Sequence, residues 1–303
     1  MTHRLRAIAA GAAGAVLMLG TVAAGSAVAA DVTIADKGFT ESQIVAQLYA
    51  QALEAKGFDV TVKSLASTAI ADPAVRRGDI DAYPEYTGTA FLTVLKRKPV
   101  KNPSLVFPAV RTAYARRGLT ALNQSPYNNN NRVACTQAAV NQYKLTTLSS
   151  LGKASSNITY SANPEHVTRA DGLPLLQSAY GVNFKNVIQV ALNQRYKPIQ
   201  DGQAQCVYAF GVDPLAQELK MVFLRDDKRV FEGTPYQNFP VVNSKFLKGL
   251  SGRDRAAFVA TTNRVSGLLT DQVMNKLVGQ VDLDNEDPED VAKAFLRSKG
   301  LVR

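Results

Sequence analysis

The sequence predicts an α/β protein of two hinged lobes with a ligand cleft between them. Strand and helix patterns alternate through the chain, and alternating patterns of this kind build mainly parallel sheets. Two polar or Gly/Pro-containing segments, 123–131 and 211–214, interrupt the alternation and are the predicted crossings between lobes. We therefore expect one lobe at 31–125 plus 213–303 and the other at 126–212.

The first 30 residues predict a secretory signal peptide. Arg4 and Arg6 precede an Ala/Gly/Val/Leu run, and Ala27-Val28-Ala29-Ala30 resembles a cleavage site. The alternative is a membrane anchor, but the apolar run is short and no basic stop follows it. No cysteine lies near the cleavage site, so we expect export to the periplasm or cell envelope without a lipoprotein anchor.

The net charge of the mature chain limits the kinds of partner that we expect. The mature chain has a formal charge of +8, because the leader removes Arg4 and Arg6 from a total of +10. This charge is dispersed, and the run at 96–98 is typical of a solvated helix end, so we expect no nucleic-acid partner.

Cys135 and Cys206 in an exported chain favour one disulfide, with two separate buried thiols as the alternative. Their spacing does not suit a metal site.

The first elements form a βαβ unit. Residues 32–34 predict a strand, and Ile44, Leu48 and Ala52 predict a helix that begins after an N-cap at Thr40 and ends at Gly57. Such units build parallel sheets. The later pattern predicts the following elements: strands at 58–62, from residue 80, at 132–135, 158–160 and 206–210, and helices at 73–77, 104–117, 147–151, 173–180, 196–201 and in the tail after Thr270 and Asp287.

The segment 78–89 carries the strongest ligand signal. It places Tyr86 and Thr89 in a Pro/Gly-interrupted stretch at the predicted end of a strand, where α/β proteins hold ligands. Lys37, in the first β-to-α turn, lies near a helix N-terminus and suits an anion. Arg169 can bind a carboxylate through two hydrogen bonds. The alternative for each basic residue is ordinary solvation, and Asp171 is an alternative partner for Arg169.

Catalytic chemistry is poorly represented. His166 is the one histidine of the mature chain, and Glu85 has no partner carboxylate in sequence. No nucleophile elbow, phosphate-binding loop or dinucleotide fingerprint occurs. We therefore expect no enzyme activity, no metal and no cofactor. An exported hydrolase that uses Glu85 or His166 is the alternative.

Four stretches together resemble a known family: 36–42, 83–89, 168–174 and 280–291. In the same order they are similar to the glycine betaine/choline/carnitine-type osmoprotectant-binding proteins of ABC importers. The resemblance implies a periplasmic-binding-protein-like (type II) fold, a small quaternary amine or zwitterion as ligand, ABC permease transmembrane subunits as partners and a monomeric state.

The resemblance also implies site residues. Tyr86, Tyr196 and Phe210 correspond to an aromatic cage for the cation, while Asn131 stands where the family has a cage tyrosine. Tyr127 is a candidate to compensate for that change. Lys37, Thr89 and Arg169 correspond to the anion-binding positions.

Asn131 and Phe210 leave the identity of the ligand open. Asn131 adds a polar donor and acceptor, which suits a ligand with a polar group beside its cationic centre. Alternatives on the same fold are a different polar or aromatic cation, such as choline, carnitine or an ergothioneine-like compound, and a sensor or scavenger that takes no part in transport.

Overall fold

The computed structural model describes residues 30–100, 102–231 and 233–303. Two five-stranded sheets, each with its own helices and hydrophobic core, form two lobes. The predicted two-lobed α/β class is therefore confirmed. Residues 1–29 of the predicted signal peptide lie outside the described residues, so that assignment stays a prediction.

The first sheet has the strand order β2-β1-β3-β10-β4, in which β10 runs antiparallel to both neighbours. Strands β1, β2 and β3 are parallel, as the βαβ pattern predicted. The strands of this sheet are β1 (Asp31–Asp36), β2 (Asp59–Ser64), β3 (Ala82–Tyr86), β4 (Leu119–Ala121) and β10 (Asn238–Asn243).

The second sheet repeats the same pattern, with the order β7-β6-β8-β5-β9. Here β6, β7 and β8 are parallel and β5 runs antiparallel to β8 and β9. Its strands are β5 (Asn131–Cys135), β6 (Thr159–Ala162), β7 (Asn186–Gln189), β8 (Cys206–Phe210) and β9 (Val222–Phe223).

Thirteen α-helices lie within the described residues, and a π-helical turn at Thr89–Val94 follows β3. No helix in that part of the chain is both long and apolar enough to cross a membrane. The helices are α1 (Thr40–Glu54), α2 (Thr68–Arg77), α3 (Val106–Ala115), α4 (Gln137–Tyr143), α5 (Leu148–Ala154), α6 (Pro164–Thr168), α7 (Leu173–Tyr180), α8 (Lys197–Gln200), α9 (Pro214–Glu218), α10 (Ser244–Gly249), α11 (Gly252–Leu268), α12 (Asp271–Asp282) and α13 (Pro288–Ser298).

Helix α1 illustrates how the apolar pattern forms the first core. Ile44 and Leu48 lie one turn apart on its inner face and are fully buried. The predicted N-cap is wrong by one residue, because the helix begins at Thr40 after an extended Phe39 and no side chain caps it. The Thr40 hydroxyl instead donates to Asp282 Oδ1 at 2.6 Å, which joins α1 to α12.

The second crossing lies later than predicted. Val212 does reach the core of the first lobe, but the chain then returns to the second sheet as β9, which pairs with β5. It enters the first sheet at β10, so the predicted boundary at residue 213 is too early. Helix α9 also touches the first lobe, because the Pro214 side chain lies against Gly279 of α12.

The predicted disulfide is confirmed. Cys135 of β5 and Cys206 of β8 are directly opposite in the antiparallel ladder, and a disulfide joins them. Both residues are fully buried in the core of the second lobe. The bridge fixes the pairing of the two strands whose other ends, Asn131 and Phe210, reach the space between the lobes.

Candidate functional site

A cavity lies between the two lobes. Its walls include the segments that follow the carboxyl ends of β1, β2, β3 and β6, together with the last residues of β8, which is where α/β sheets hold ligands. The residues that line it are Lys37, Phe39, Ala66, Thr68, Tyr86, Thr89, Asn129, Asn131, Asn163, Glu165, Arg169, Leu192, Tyr208, Phe210 and Tyr236.

Five aromatic rings form much of the cavity wall. The Phe39 ring centroid lies 6.2 Å from that of Tyr86 and 6.0 Å from that of Phe210, and Tyr208 and Phe210 are 4.9 Å apart. Phe39 and Tyr86 belong to the first lobe, whereas Tyr208 and Phe210 belong to β8 of the second lobe. The rings therefore lie next to one another across the cleft. The fifth ring is Tyr236. Aromatic faces attract cations, so this wall suits a cationic group.

The ammonium group of Lys37 lines the cavity and already has partners within the protein. Its Nζ lies 2.7 Å from Glu85 Oε1, donates to Thr68 Oγ1 at 3.2 Å and lies 4.5 Å from the Tyr86 ring centroid. Glu85 is the next-to-last residue of strand β3 and is fully buried, and its carboxylate also accepts from Tyr83 and Thr68. Two of the three ammonium protons of Lys37 therefore have partners, and one remains for a ligand.

Arg169 is held by Asp171. Nε and Nη2 of Arg169 donate to the two carboxylate oxygens at 2.5 and 2.7 Å, and Nη2 also donates to Thr89 Oγ1 at 3.0 Å. Burial opposes ionisation of Asp171, but the charge and hydrogen bonds of Arg169 outweigh it and lower the pKa to about 2. The alternative in which Asp171 pairs with Arg169 is thus realised, yet Arg169 still lines the cavity.

The same carboxylate joins the two lobes. Asp171, in the second lobe, accepts from Thr93 at 2.7 Å and from the Tyr236 hydroxyl at 2.7 Å, and both donors lie on the side of the first lobe. The Arg169–Thr89 hydrogen bond crosses the cleft beside them. The lobes therefore meet through a compact polar cluster at the cavity.

Asn131 has a different environment from the one expected. Its Oδ1 accepts from the Tyr208 hydroxyl at 2.7 Å, and its Nδ2 donates to the Asp171 carbonyl at 3.0 Å and to Tyr236 Oη at 3.3 Å. Both amide protons therefore have partners within the protein. The side chain orients two tyrosines and offers no free donor to the cavity.

Tyr127 and Tyr196, which were expected in the cage, lie outside the cavity. The Tyr127 hydroxyl donates to Glu41 at 2.7 Å, and the Tyr196 hydroxyl donates to Asp213 at 2.8 Å. Both rings are almost completely buried. Tyr86 shares Glu41 as its hydrogen-bond acceptor, so Tyr127 lies behind the Tyr86 side chain.

Glu85 and His166, the candidates of the hydrolase alternative, both have partners within the protein. Glu85 holds Lys37, as described above. The His166 ring stacks on Tyr208 with centroids 3.8 Å apart, and its Nε2 lies 3.2 Å from the Tyr160 hydroxyl. Burial, assisted by the positive charge of Arg169, lowers the pKa of His166 to about 3, so the ring is neutral.

Sequence reasoning missed three cavity rings. Phe39 lies inside the 36–42 stretch, two residues after Lys37, and that position was the available signal. Tyr208 is two residues from Phe210 on the same strand, and period-two alternation places both on one face. Tyr236 carries no such signal, because it lies in the irregular segment before β10.

Gly88 permits Tyr236 to reach the cavity. A Cβ at Gly88 would lie 2.6 Å from Cζ of the Tyr236 ring. We predict that Gly88→Ala displaces this ring, weakens ligand affinity about tenfold and lowers stability by about 1–3 kcal/mol, as overpacking does. The measurements are calorimetric affinity and thermal unfolding. Gly267→Ala in α11, where nothing lies within 4 Å, is the matched control and should leave affinity unchanged with no loss of stability. Unchanged affinity in Gly88→Ala would contradict the prediction.

The geometry agrees with the family match. The family model for the substrate-binding domain of ABC-type glycine betaine transport systems matches residues 30–298. The chain belongs to this family. Its members are extracytoplasmic solute-binding proteins of ABC transporters rather than enzymes, and the family resemblance of the sequence is confirmed.

Several characterised relatives are similar over most of the chain. The glycine-betaine-binding protein of Pseudomonas aeruginosa is 26% identical over 295 residues, which is 93% of this chain and 92% of that protein. The carnitine transport binding protein OpuCC of Listeria monocytogenes is 26% identical over 263 residues, covering 85% and 83%. The ergothioneine transport permease/ergothioneine binding protein EgtU of Helicobacter pylori is 28% identical over 230 residues, which is 76% of this chain and 40% of that protein.

Solved structures support the fold. A crystal structure of a glycine betaine/carnitine/choline ABC transporter protein superposes with a TM-score of 0.68 at 22% identity, covering 89% of this chain and 99% of that one. A choline-binding protein in complex with choline gives a TM-score of 0.64 at 16% identity, covering 89% of both. At these identities the likeness establishes the two-lobed fold alone.

Proposed function

We propose that the chain is the solute-binding protein of an ABC importer and captures a quaternary ammonium compatible solute, of the glycine betaine type, between its closing lobes. The observation that carries the proposal is the combination of an aromatic wall with Lys37, Thr89 and Arg169 in one cavity. A trimethylammonium group has no N–H to donate and is held by aromatic faces. The basic and hydroxyl groups suit a carboxylate.

For the cation, we assign the wall formed by the five rings described above. Tyr86 and Phe210 remain from the expected cage, and Phe39, Tyr208 and Tyr236 join them. In this proposal Tyr127 and Tyr196 support the site indirectly, through Glu41 and Asp213.

For the anion, three donors remain available. Thr89 Oγ1 accepts from Arg169 and keeps its own proton, Lys37 keeps one ammonium proton, and Arg169 Nη1 makes no hydrogen bond to any described residue. Thr89 and Arg169 come from different lobes, and Thr89 Oγ1 lies 3.0 Å from Arg169 Nη2. A carboxylate bound by both residues would therefore bridge the cleft.

Ligand binding then favours the closed arrangement. A ligand that contacts both lobes binds the closed state better than the open one and shifts the population toward it. We infer that the closed form, as a monomer in the periplasm or cell envelope, docks on the permease subunits. Relatives named for carnitine and ergothioneine favour those compounds as the second candidate ligands.

Binding of glycine betaine should depend on its positive charge. We predict that 3,3-dimethylbutanoate, the uncharged-head isostere of glycine betaine, binds at least tenfold more weakly, because a tert-butyl group gains no cation–π attraction. Tyr86→Leu should weaken glycine betaine about tenfold while Tyr86→Phe, which keeps the π face, changes it little. Isothermal titration calorimetry measures both. If glycine betaine, carnitine, choline and ergothioneine all fail to bind the folded protein, the proposed function is wrong.

A further inference from the structure

The three tyrosines that line the cavity direct their hydroxyl protons into the protein. Tyr86 donates to Glu41 Oε1 at 2.6 Å, Tyr208 to Asn131 Oδ1 at 2.7 Å and Tyr236 to Asp171 Oδ2 at 2.7 Å. A phenol has one proton, so none of these hydroxyls can donate to a ligand.

The chemistry of the partners fixes these directions. The Asp171 carbonyl can only accept, so the Asn131 atom 3.0 Å from it is Nδ2 and not Oδ1. Tyr236 gives its proton to the ionised Asp171 carboxylate, so it accepts the second Nδ2 proton of Asn131. Oδ1 therefore faces Tyr208, whose hydroxyl must donate to it.

Asn131 and Tyr208 can still accept hydrogen bonds from a ligand, although they cannot donate any. Asn131 Oδ1 has a second lone pair, and Tyr208 Oη has given its proton away and can only accept. Asn131 and Tyr208 are 4% and 2% exposed, so bulk water is largely excluded from both. An aliphatic N-methyl group carries no conventional hydrogen-bond donor and leaves these acceptors without a new partner.

Glu165 adds a carboxylate to the same cavity. It is partly buried at the start of α6, and its carboxylate makes no hydrogen bond or ion pair to any described residue. Its charge acts on Tyr208: burial raises the pKa of that hydroxyl, and the charges of Asp171 and Glu165 add to the rise against Arg169 and Arg195. By contrast, Glu85 and Asp171 each already hold a basic partner.

We propose that Glu165, Asn131 and Tyr208 form an acceptor subsite for an O–H or N–H group that the ligand carries near its cationic centre. The inference rests on the proposed function and narrows it. The preferred ligand is a quaternary ammonium compound with a hydroxyl or ring N–H, whereas glycine betaine has neither and leaves the subsite empty.

Matched ligand pairs test the subsite by calorimetry. Carnitine is compared with deoxycarnitine, choline with O-methylcholine, and ergothioneine with its ring-N,N′-dimethyl derivative, so that each pair differs at the donor. For at least one pair, the donor-bearing member should bind the wild-type protein at least tenfold more tightly. Glu165→Gln should reduce that ratio about threefold or more, and Asn131→Leu should bring it close to one.

A control variant and a provision for a folding failure keep the outcomes distinct. Glu218→Gln removes an exposed carboxylate on α9 and should preserve the wild-type ratio. If Asn131→Leu fails to fold, the ligand pairs and Glu165→Gln still decide the question. Equal affinity within every pair that binds, or an unchanged ratio in Glu165→Gln, overturns the subsite but leaves the proposed function standing. Failure of every quaternary amine to bind overturns both.

Discussion

Replacing Arg169 by methionine is expected to weaken binding of a carboxylate-bearing ligand at least 100-fold and to destabilise the protein by about 3–5 kcal/mol. The stability effect follows because Asp171 is fully buried and its main charged partner is Arg169. Removal of one member of a buried ion pair leaves the other charge uncompensated. The affinity effect follows because the guanidinium also donates to Thr89 across the cleft.

Arg169→Lys is the matched control for this prediction. Lysine keeps the charge but cannot donate to both Asp171 oxygens and Thr89 from one planar group. We expect it to retain most of the stability while affinity still falls about tenfold. Thermal unfolding without ligand and calorimetry at a temperature where all variants are folded separate the two effects. Wild-type affinity in a folded Arg169→Met protein would contradict the assigned role of Arg169.

The two basic residues among the expected anion-binding residues are thus members of internal ion pairs. Lys37 and Arg169 are held by Glu85 and Asp171, so the basic groups are desolvated and oriented before a ligand arrives. Preorganised charges need little rearrangement when the ligand binds. The compensating carboxylates also limit the net positive charge of the cavity, which suits a zwitterion or a cation better than a simple anion.

The fold was predictable because its first unit follows local rules. The apolar spacing in α1 and the short strands around it are signals of the chain itself, and they hold in the structure. Strand β9 escaped prediction because two residues carry no periodicity and are defined by pairing with β5. The crossing between lobes was misplaced for the same reason.

The sequence motifs predicted much of the candidate site, but they did not predict where the individual side chains point. Tyr196 was assigned to the cage because it is an aromatic residue in a matching context, yet its hydroxyl is drawn to Asp213. Tyr236 reaches the cavity because Gly88, far away in sequence, leaves room for its ring. Asn131 was expected to offer a polar donor and acceptor to the ligand, and its partners Tyr208 and Asp171 are visible only once the lobes are assembled.

Glu41 is the other residue with a large expected effect. It is buried behind Tyr86, where its carboxylate accepts from the Tyr86 and Tyr127 hydroxyls and from Asn129. Burial raises its pKa from 4.5 to about 7, and the charge of Asp213 adds to this rise, while the tyrosine hydrogen bonds and Lys37 oppose it. The folded protein therefore holds a proton on Glu41 at pH values where the unfolded chain has released it.

The sign of the pH effect follows from this difference. Between pH 4.5 and about 7 the folded state binds more protons than the unfolded state at Glu41, so stability falls as pH rises through this range. Above pH 7 the loss is complete and amounts to about 3 kcal/mol, at ~1.4 kcal/mol for each pH unit between the two pKa values.

Glu41→Gln removes this titration, since an amide stays neutral at every pH. We expect the variant to match the wild-type melting temperature near pH 5 and to exceed it near pH 8, because the wild-type protein must then bury a charge. The difference between the two melting curves isolates Glu41 from other titrating groups, such as His166, which is destabilising only as pH falls below 6.5. Glu218→Gln, at an exposed position, should show no such pH-dependent difference. A constant difference between Glu41→Gln and wild type from pH 5 to 8 would mean that Glu41 does not change its protonation on folding.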